Sequence, residues 1–421
     1  MKMALLHPVL SPLGLLLLQI IAILVVARIF GALIARIGQP PVIGEMIAGI
    51  VLGPSLLGRL LPGLSGLLFP AGSLGNLQFL SEIGLILFMF ITGMELDLGK
   101  LKDKARHAIV ISYTSIIFPY LLGVGAAYFI YRGLAPAGVG FLAFALFMGI
   151  ALSITAFPVL ARILQARGLT KTSVGTLVLA CAAFDDVTAW CILAVVVAVA
   201  KVTSATGVLV TLVLSASFVL VMFYVVGPGI RRFADKHATS SGILKQVVVM
   251  SAFFVLLVSA FATEAIGVHA LFGAFLAGVI MPRKSGIREQ LPGKIADVSQ
   301  LLLLPLFFAL TGLKTQIGLL NDASHWLICA ALVLVAIIGK FGGSTLAAKL
   351  TGQSWHDSLT IGALMNTRGL MELIVLNIGY SMGILSPVLF AMLVLMALTT
   401  TFMTAPLLDL VAWSGRKPQL P

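Results

Sequence analysis

Charge is what this sequence has least of. Of its 421 residues only 10% are Asp, Glu, Lys or Arg, where a soluble domain carries about 25%. No polar stretch is long enough to fold as a separate soluble domain. Cysteine is nearly missing too: Cys181, Cys191 and Cys329 all lie inside apolar runs, and an odd count in such positions excludes a disulfide framework. There is no CxxC, no HExxH and no His/Cys cluster at zinc spacing, so no metal cofactor is expected beyond a transported ion. No GxGxxG follows a strand pattern, and no nucleotide control is expected in this polypeptide. The basic residues are scattered over loops without interleaved aromatics, which argues against nucleic acid as a partner.

What fills the chain is hydrophobic sequence, 60% of it. Apolar stretches of about 20 residues recur from end to end, as a polytopic helical membrane protein requires. The runs are continuous rather than alternating, which excludes a β-barrel. Met1-Lys2 followed by apolar residues resembles a signal peptide. The run Val9–Val26 is longer than a usual signal core, however, and no small-x-small site precedes a polar domain. It reads as the first span.

Breaks at Gly, Pro and charged clusters give thirteen spans. They cover 12–35, 41–57, 75–96, 108–131, 138–165, 172–200, 206–229, 243–265, 267–281, 295–313, 325–348, 357–381 and 385–412. Loops on alternating sides then divide the basic residues 19 to 5, with Arg28, Lys340 and Arg368 inside spans. By the positive-inside rule the N-terminus is outside and the C-terminus cytoplasmic. The net charge of +12 is this signal, with attraction to anionic lipid as a further effect.

The second span carries Gly44-Glu45-Met46-Ile47-Ala48-Gly49-Ile50 and the ninth Gly273-Ala274-Phe275-Leu276-Ala277-Gly278-Val279. The third ends Phe88-Met89-Phe90-Ile91-Thr92-Gly93-Met94 and the tenth Phe307-Phe308-Ala309-Leu310-Thr311-Gly312-Leu313. Each pair is seven spans apart, and an odd offset inverts one copy relative to the other. That is the inverted-repeat plan of secondary transporters, which places broken helices at matching positions in the two halves. Pro158 in the fifth span removes a backbone donor and frees carbonyls at mid-span. Asn366-Thr367-Arg368-Gly369 marks the second break, in the twelfth.

Charges inside the spans carry the function. Asp185 and Asp186 stand side by side in the apolar run Leu177–Val199. Even one carboxylate at that depth costs about 2.5–3.5 kcal/mol. Adjacent helical residues point about 100° apart, so one acid can face an ion pathway while the other faces a neighbouring helix. Lys340 is too deep to reach the interface and needs a carboxylate partner. Arg368 keeps its proton. It is read as a structural charge that compensates carbonyl ends of broken helices or pairs with Glu372 one turn on. Two carboxylates and a lysine in one dry pocket titrate as a coupled set. A site that binds a proton or a small cation, but not both, is an antiporter site.

These segments resemble the monovalent cation:proton antiporter-2 family, of the sodium/proton exchanger type. The carrying motifs are PPVIGEMIAGIVLGPSLLG (40–58), SEIGLILFMFITGMELDL (81–98), SITAFPVLARIL (153–164), AFDDVTAW (183–190) and NTRGLMELIVLNIG (366–379). The resemblance covers nearly the whole chain and points to the branch of plant endomembrane and bacterial cation exchangers. It implies an all-α polytopic protein of about thirteen transmembrane helices, inverted repeats with two broken crossing helices, and no enzymatic activity. It implies scaffold helices 1–3 in residues 1–106 and core helices 4–6 with the Asp pair in 107–201. Linker helix 7 and scaffold helices 8–10 follow in 202–320, and core helices 11–13 in 321–415. It further implies homodimers, elevator-like alternating access and residence in a bacterial cell membrane. Carried over by position, Asp186 is the principal cation and proton carboxylate, Asp185 the partner of Lys340, and Ser153 and Thr155 lend oxygens. The transported partners are Na+ or K+ and H+. The alternative on the same fold is a sodium-coupled symporter of a small organic anion. A channel suits two inverted halves with broken helices less well, and an intramembrane aspartyl protease needs its two aspartates on different helices.

Overall fold

The computed structural model describes residues 11–95, 105–201, 205–236, 246–282 and 286–414. Among these, twelve helices are long and apolar enough to cross a membrane, and an eleven-residue apolar helix, Ala270–Ile280, takes the place of the expected ninth span. That helix is short because punctuation bounds it. Gly267, at φ +94°, ends the preceding helix, and Pro282 follows it. The expected start of the eighth span, 243–245, lies outside the described residues, and its helix is seen from Gln246. The tenth begins earlier than expected. Its helix runs from Ile287 and passes through a π-turn, Val298–Leu303, before Leu304–Lys314.

The chain packs as two units. The first comprises residues 1–70, 101–193 and 308–421. It contains α1 (Pro12–Arg36), α2 (Pro41–Leu52), α3 (Ala105–Leu134), α4 (Phe141–Ser153), α5 (Phe157–Ala166) and most of α6 (Ser173–Lys201). It continues with the end of the tenth span, then α7 (Ala323–Ile337), α8 (Gly343–Leu350), α9 (Trp355–Met365), α10 (Leu370–Ser381) and α11 (Pro387–Ser414). Small residues set its closest contacts. Gly44 lies against the backbone of Phe30 and Gly31, and Gly123 against Met148 and Gly149. Gly49 and Gly312 pack backbone to backbone, the kind of approach that small-xxx-small motifs permit between helices in lipid.

Both expected breaks are present here. The fifth span stops at Ser153 and resumes at Phe157, and the twelfth stops at Met365 and resumes at Leu370. Pro158 occupies the first turn of α5, where a missing N–H is harmless. It therefore starts a half-helix instead of bending a continuous one. The eleventh span is interrupted differently, by a π-turn at Ile338–Gly342 between α7 and α8. Gly339 in that turn meets Pro119 of α3 so closely that a Cβ would collide with the ring. Such turns widen a helix locally and often mark functional sites. This one carries Lys340.

The second unit comprises residues 71–100 and 194–307. Its core is the crossing of Leu74–Glu95 with Ala270–Ile280, where Gly93 and Gly278 touch. The Ser259 hydroxyl donates to the Gly273 carbonyl at 2.7 Å. Glu264 accepts from the Ala270 amide at 2.9 Å and so caps the short helix. Arg288 donates to the carbonyls of Met94 (3.1 Å), Met281 (2.7 Å) and Val279, placing a fixed cation on carbonyls at the ends of two helices. The repeat motifs are thus used reciprocally. The motif of the second span packs on that of the tenth in one unit, and the third on the ninth in the other.

Candidate functional site

A buried polar cluster of the first unit forms where the two breaks meet. The Thr155 hydroxyl donates to the Met365 carbonyl at 3.3 Å, and the Ala156 amide donates to the Thr367 carbonyl at 3.1 Å. The interrupted strands of chain thus satisfy part of each other's backbone, which in an apolar environment has no other partner. Arg368 supplies the rest. Its guanidinium donates to the carbonyls of Ala151 (2.8 Å) and Leu152 (2.6 Å), the free C-terminal end of α4, and to Glu372 Oε1 at 3.0 Å. Arg368 and Glu372 are both fully buried.

α6 passes this crossing and presents the two aspartates to different neighbours. Asp185 is fully buried and surrounded by donors. Ser112 Oγ reaches Oδ1 at 2.5 Å, while Ser115 Oγ and Thr155 Oγ1 each reach Oδ2 at 2.7 Å. Lys340 Nζ reaches Oδ2 at 3.0 Å and Ser115 Oγ at 3.2 Å. Three hydroxyls and an ammonium therefore surround this carboxylate, an arrangement a buried ion pair needs if it is to offset desolvation.

Asp186 differs. It is 3% exposed and takes a backbone hydrogen bond from Phe157, the first residue of α5. A helix N-terminus favours an anion. Its Oδ1 has no partner among the described residues. A buried charged oxygen without a donor is destabilised by more than the ~1–3 kcal/mol of a neutral group. The site is complete on the Asp185 side and open to one more positive group on the Asp186 side.

The structure thus brings together Asp185, Asp186, Thr155 and Lys340, and sets Arg368 with Glu372 at the adjoining helix end. Ser153 is close in sequence, but its hydroxyl turns back to the Ile150 carbonyl at 3.1 Å, and no hydrogen bond joins it to either aspartate among the described residues. Sequence reasoning passed over Ser112 and Ser115. Their spacing of three puts both hydroxyls on one face of α3, a signal too common to single out. It also passed over the threonines of α11. Thr401 Oγ1 receives the Arg368 amide at 3.1 Å and lies 2.8 Å from the Arg368 carbonyl. Thr404 pairs with Thr367 at 3.2 Å. These hydroxyls fix the second break from behind. Among the described residues no group of three His, Cys, Asp or Glu side chains is arranged to hold a metal.

Known proteins resemble this chain at the level of family, sequence and fold. The family model described as sodium/hydrogen exchanger, transmembrane, matches residues 21–410. The Na+/H+ antiporter NhaS4 of Synechocystis is 44% identical over 401 residues, covering 93% of this chain and 96% of its own length. Cation/H+ antiporter 17 of Arabidopsis thaliana is 40% identical over 97% of this chain, which spans about half of that relative's length (50%). Among solved structures, the sodium proton antiporter MjNhaP1 of Methanocaldococcus jannaschii aligns with a TM-score of 0.64 at 16% identity, over 95% of this chain and 97% of that one. That likeness is one of fold.

Proposed function

The chain belongs to the sodium/hydrogen exchanger family, transporters and not enzymes, and from this premise we propose that it exchanges a monovalent cation, Na+ or K+, for protons across the membrane. The observation that carries the reading is the asymmetry of the Asp pair. Asp185 is saturated by Ser112, Ser115, Thr155 and Lys340, whereas Asp186 keeps one buried oxygen without a partner. A proton or a small cation satisfies that oxygen equally well in charge, and each excludes the other. Competition for one carboxylate is the minimum an antiporter requires.

In this reading Asp186 is the exchanging group. Asp185 and Lys340 form a fixed pair that anchors the helix. Thr155, already hydrogen-bonded to Asp185 and to the Met365 carbonyl, ties the Asp pair to the crossing and lends it an oxygen. Arg368 and Glu372 neutralise the freed helix end. Spans 4–6 and 11–13 move as a core against a scaffold of spans 1–3 and 8–10, in an elevator-like alternation, and the scaffold joins two copies as a homodimer. The protein resides in a bacterial cell membrane with its N-terminus outside and its C-terminus in the cytoplasm. Organic-anion symport finds no support in the names of the relatives.

The direct test is cation-driven proton movement in everted vesicles, with Na+, K+ and Li+ added separately across pH 6–9 (a range bracketing neutral pH by about one to two units). Dissipation of a pH gradient by wild type, abolished in Asp186→Asn, is the expected result. A folded wild type that responds to none of the three cations overturns the proposal.

A further inference from the structure

The crossing holds a second buried oxygen without a partner. Asn366, the residue at the C-terminal end of α9, is fully buried. Its Nδ2 faces the Thr400 carbonyl of α11 at 3.5 Å. Its Oδ1 meets no donor among the described residues. Its chain neighbours are both committed to the opposite break, Met365 through its carbonyl to Thr155 and Thr367 through its carbonyl to Ala156. The segment they grip, residues 155–157, is the one that touches both aspartates. Besides Glu372 Oε2, which belongs to the Arg368 pair, the crossing thus holds two orphaned oxygens, the anionic Asp186 Oδ1 and the neutral Asn366 Oδ1, each contributed by a different half of the inverted repeat.

Alkali cations are hard and take oxygen ligands, carboxylate and neutral carbonyl together. A proton needs one such oxygen, whereas a cation needs several. We infer that Asn366 Oδ1 is a neutral ligand of the transported cation, with the Thr400 carbonyl as its positioning partner, and that it separates cation affinity from proton affinity. The inference rests on the antiport reading and adds to it a residue that discriminates the two cargoes.

The experiment compares wild type, Asn366→Leu and Asn366→Asp in proteoliposomes, titrating Na+ and K+ at fixed pH. Removing the oxygen raises the half-saturating cation concentration about tenfold or more, as loss of one bond to a charged group requires. The maximal rate at saturating cation stays within about twofold, because Asp186 and its proton chemistry are untouched. Asn366→Asp keeps an oxygen in place and adds charge, so it lowers the half-saturating concentration. In detergent, the cation-induced rise in melting temperature of wild type shrinks in Asn366→Leu. Equal half-saturation in wild type and Asn366→Leu overturns the inference. Should Asn366→Leu not fold, an Asn366→Asp protein with wild-type half-saturation overturns it. A wild type that moves no protons with either cation removes the antiport reading itself, and this inference with it.

Discussion

At the scale of the residue, two neighbouring acids of identical chemistry are made different by what surrounds them. Asp185 has four donors, Asp186 one amide. The Asp185–Lys340 pair has no exposed side-chain surface, so removing one partner leaves an uncompensated buried charge. Lys340→Met is expected to destabilise the protein by about 3–5 kcal/mol. The double variant Lys340→Met/Asp185→Asn recovers most of that loss, as thermal melting in detergent will show. Of this site, the sequence made the burial of four charges legible, Asp185, Asp186, Lys340 and Arg368, since each stands well inside an apolar run. It also made plain that Lys340 needs an acid. Reasoning from the residues alone left the two aspartates equivalent, because which one is saturated depends on which face of α6 meets α3; the family resemblance assigned Asp185 to Lys340. Ser112, Ser115 and Thr401 were illegible for the same reason: a hydroxyl in an apolar helix announces itself only through its neighbour.

At the scale of the element, interruption is the organising device. Pro158 and the polar run at 366–369 were readable as breaks because each denies the backbone its own hydrogen bonds. The π-turn carrying Lys340 was not, since Ile338–Gly342 has no Pro and the Pro119 ring packed on Gly339 comes from a distant part of the chain. Arg368 joins the two breaks through two carbonyls and Glu372. Lysine has one nitrogen where arginine has a rigid fork. Arg368→Lys is therefore expected to lower the exchange rate by about tenfold or more, since losing one charge-assisted bond of ~1.5–3 kcal/mol suffices. Wild-type activity in that variant would show the fork to be dispensable. The helix crossings make a separate prediction. Gly93 meets the backbone of Phe275 and Gly278, so Gly93→Val must push the helices apart and lower stability by about 1–3 kcal/mol or more. A melting temperature equal to wild type would contradict the close approach. Here the repeat motifs were legible as similarity, while their reciprocal pairing required the fold.

At the scale of the whole molecule, the distribution of basic residues makes a prediction of sidedness. Ala137 and Thr170 are exposed in loops at opposite ends of the fifth span. In intact cells, with Cys181, Cys191 and Cys329 replaced by Ala, an impermeant maleimide should label Ala137→Cys and spare Thr170→Cys. The reverse pattern would invert the orientation. Lys340 is matched by Asp185 and Arg368 by Glu372, so these four buried charges sum to zero. The carboxylate of Asp186 is left to decide the balance. In the proposed exchange, a proton or a monovalent ion at Asp186 makes the buried assembly neutral, and without either it carries one uncompensated negative charge. Moving such a charge through an apolar interior costs about 2.5–3.5 kcal/mol on the most lenient scale, which slows the empty passage by roughly two orders of magnitude. A turnstile of this kind needs no lid to prevent slippage. If the proposed exchange holds, the ledger of its own charges makes return without cargo the slow path, and thereby keeps one gradient from draining the other.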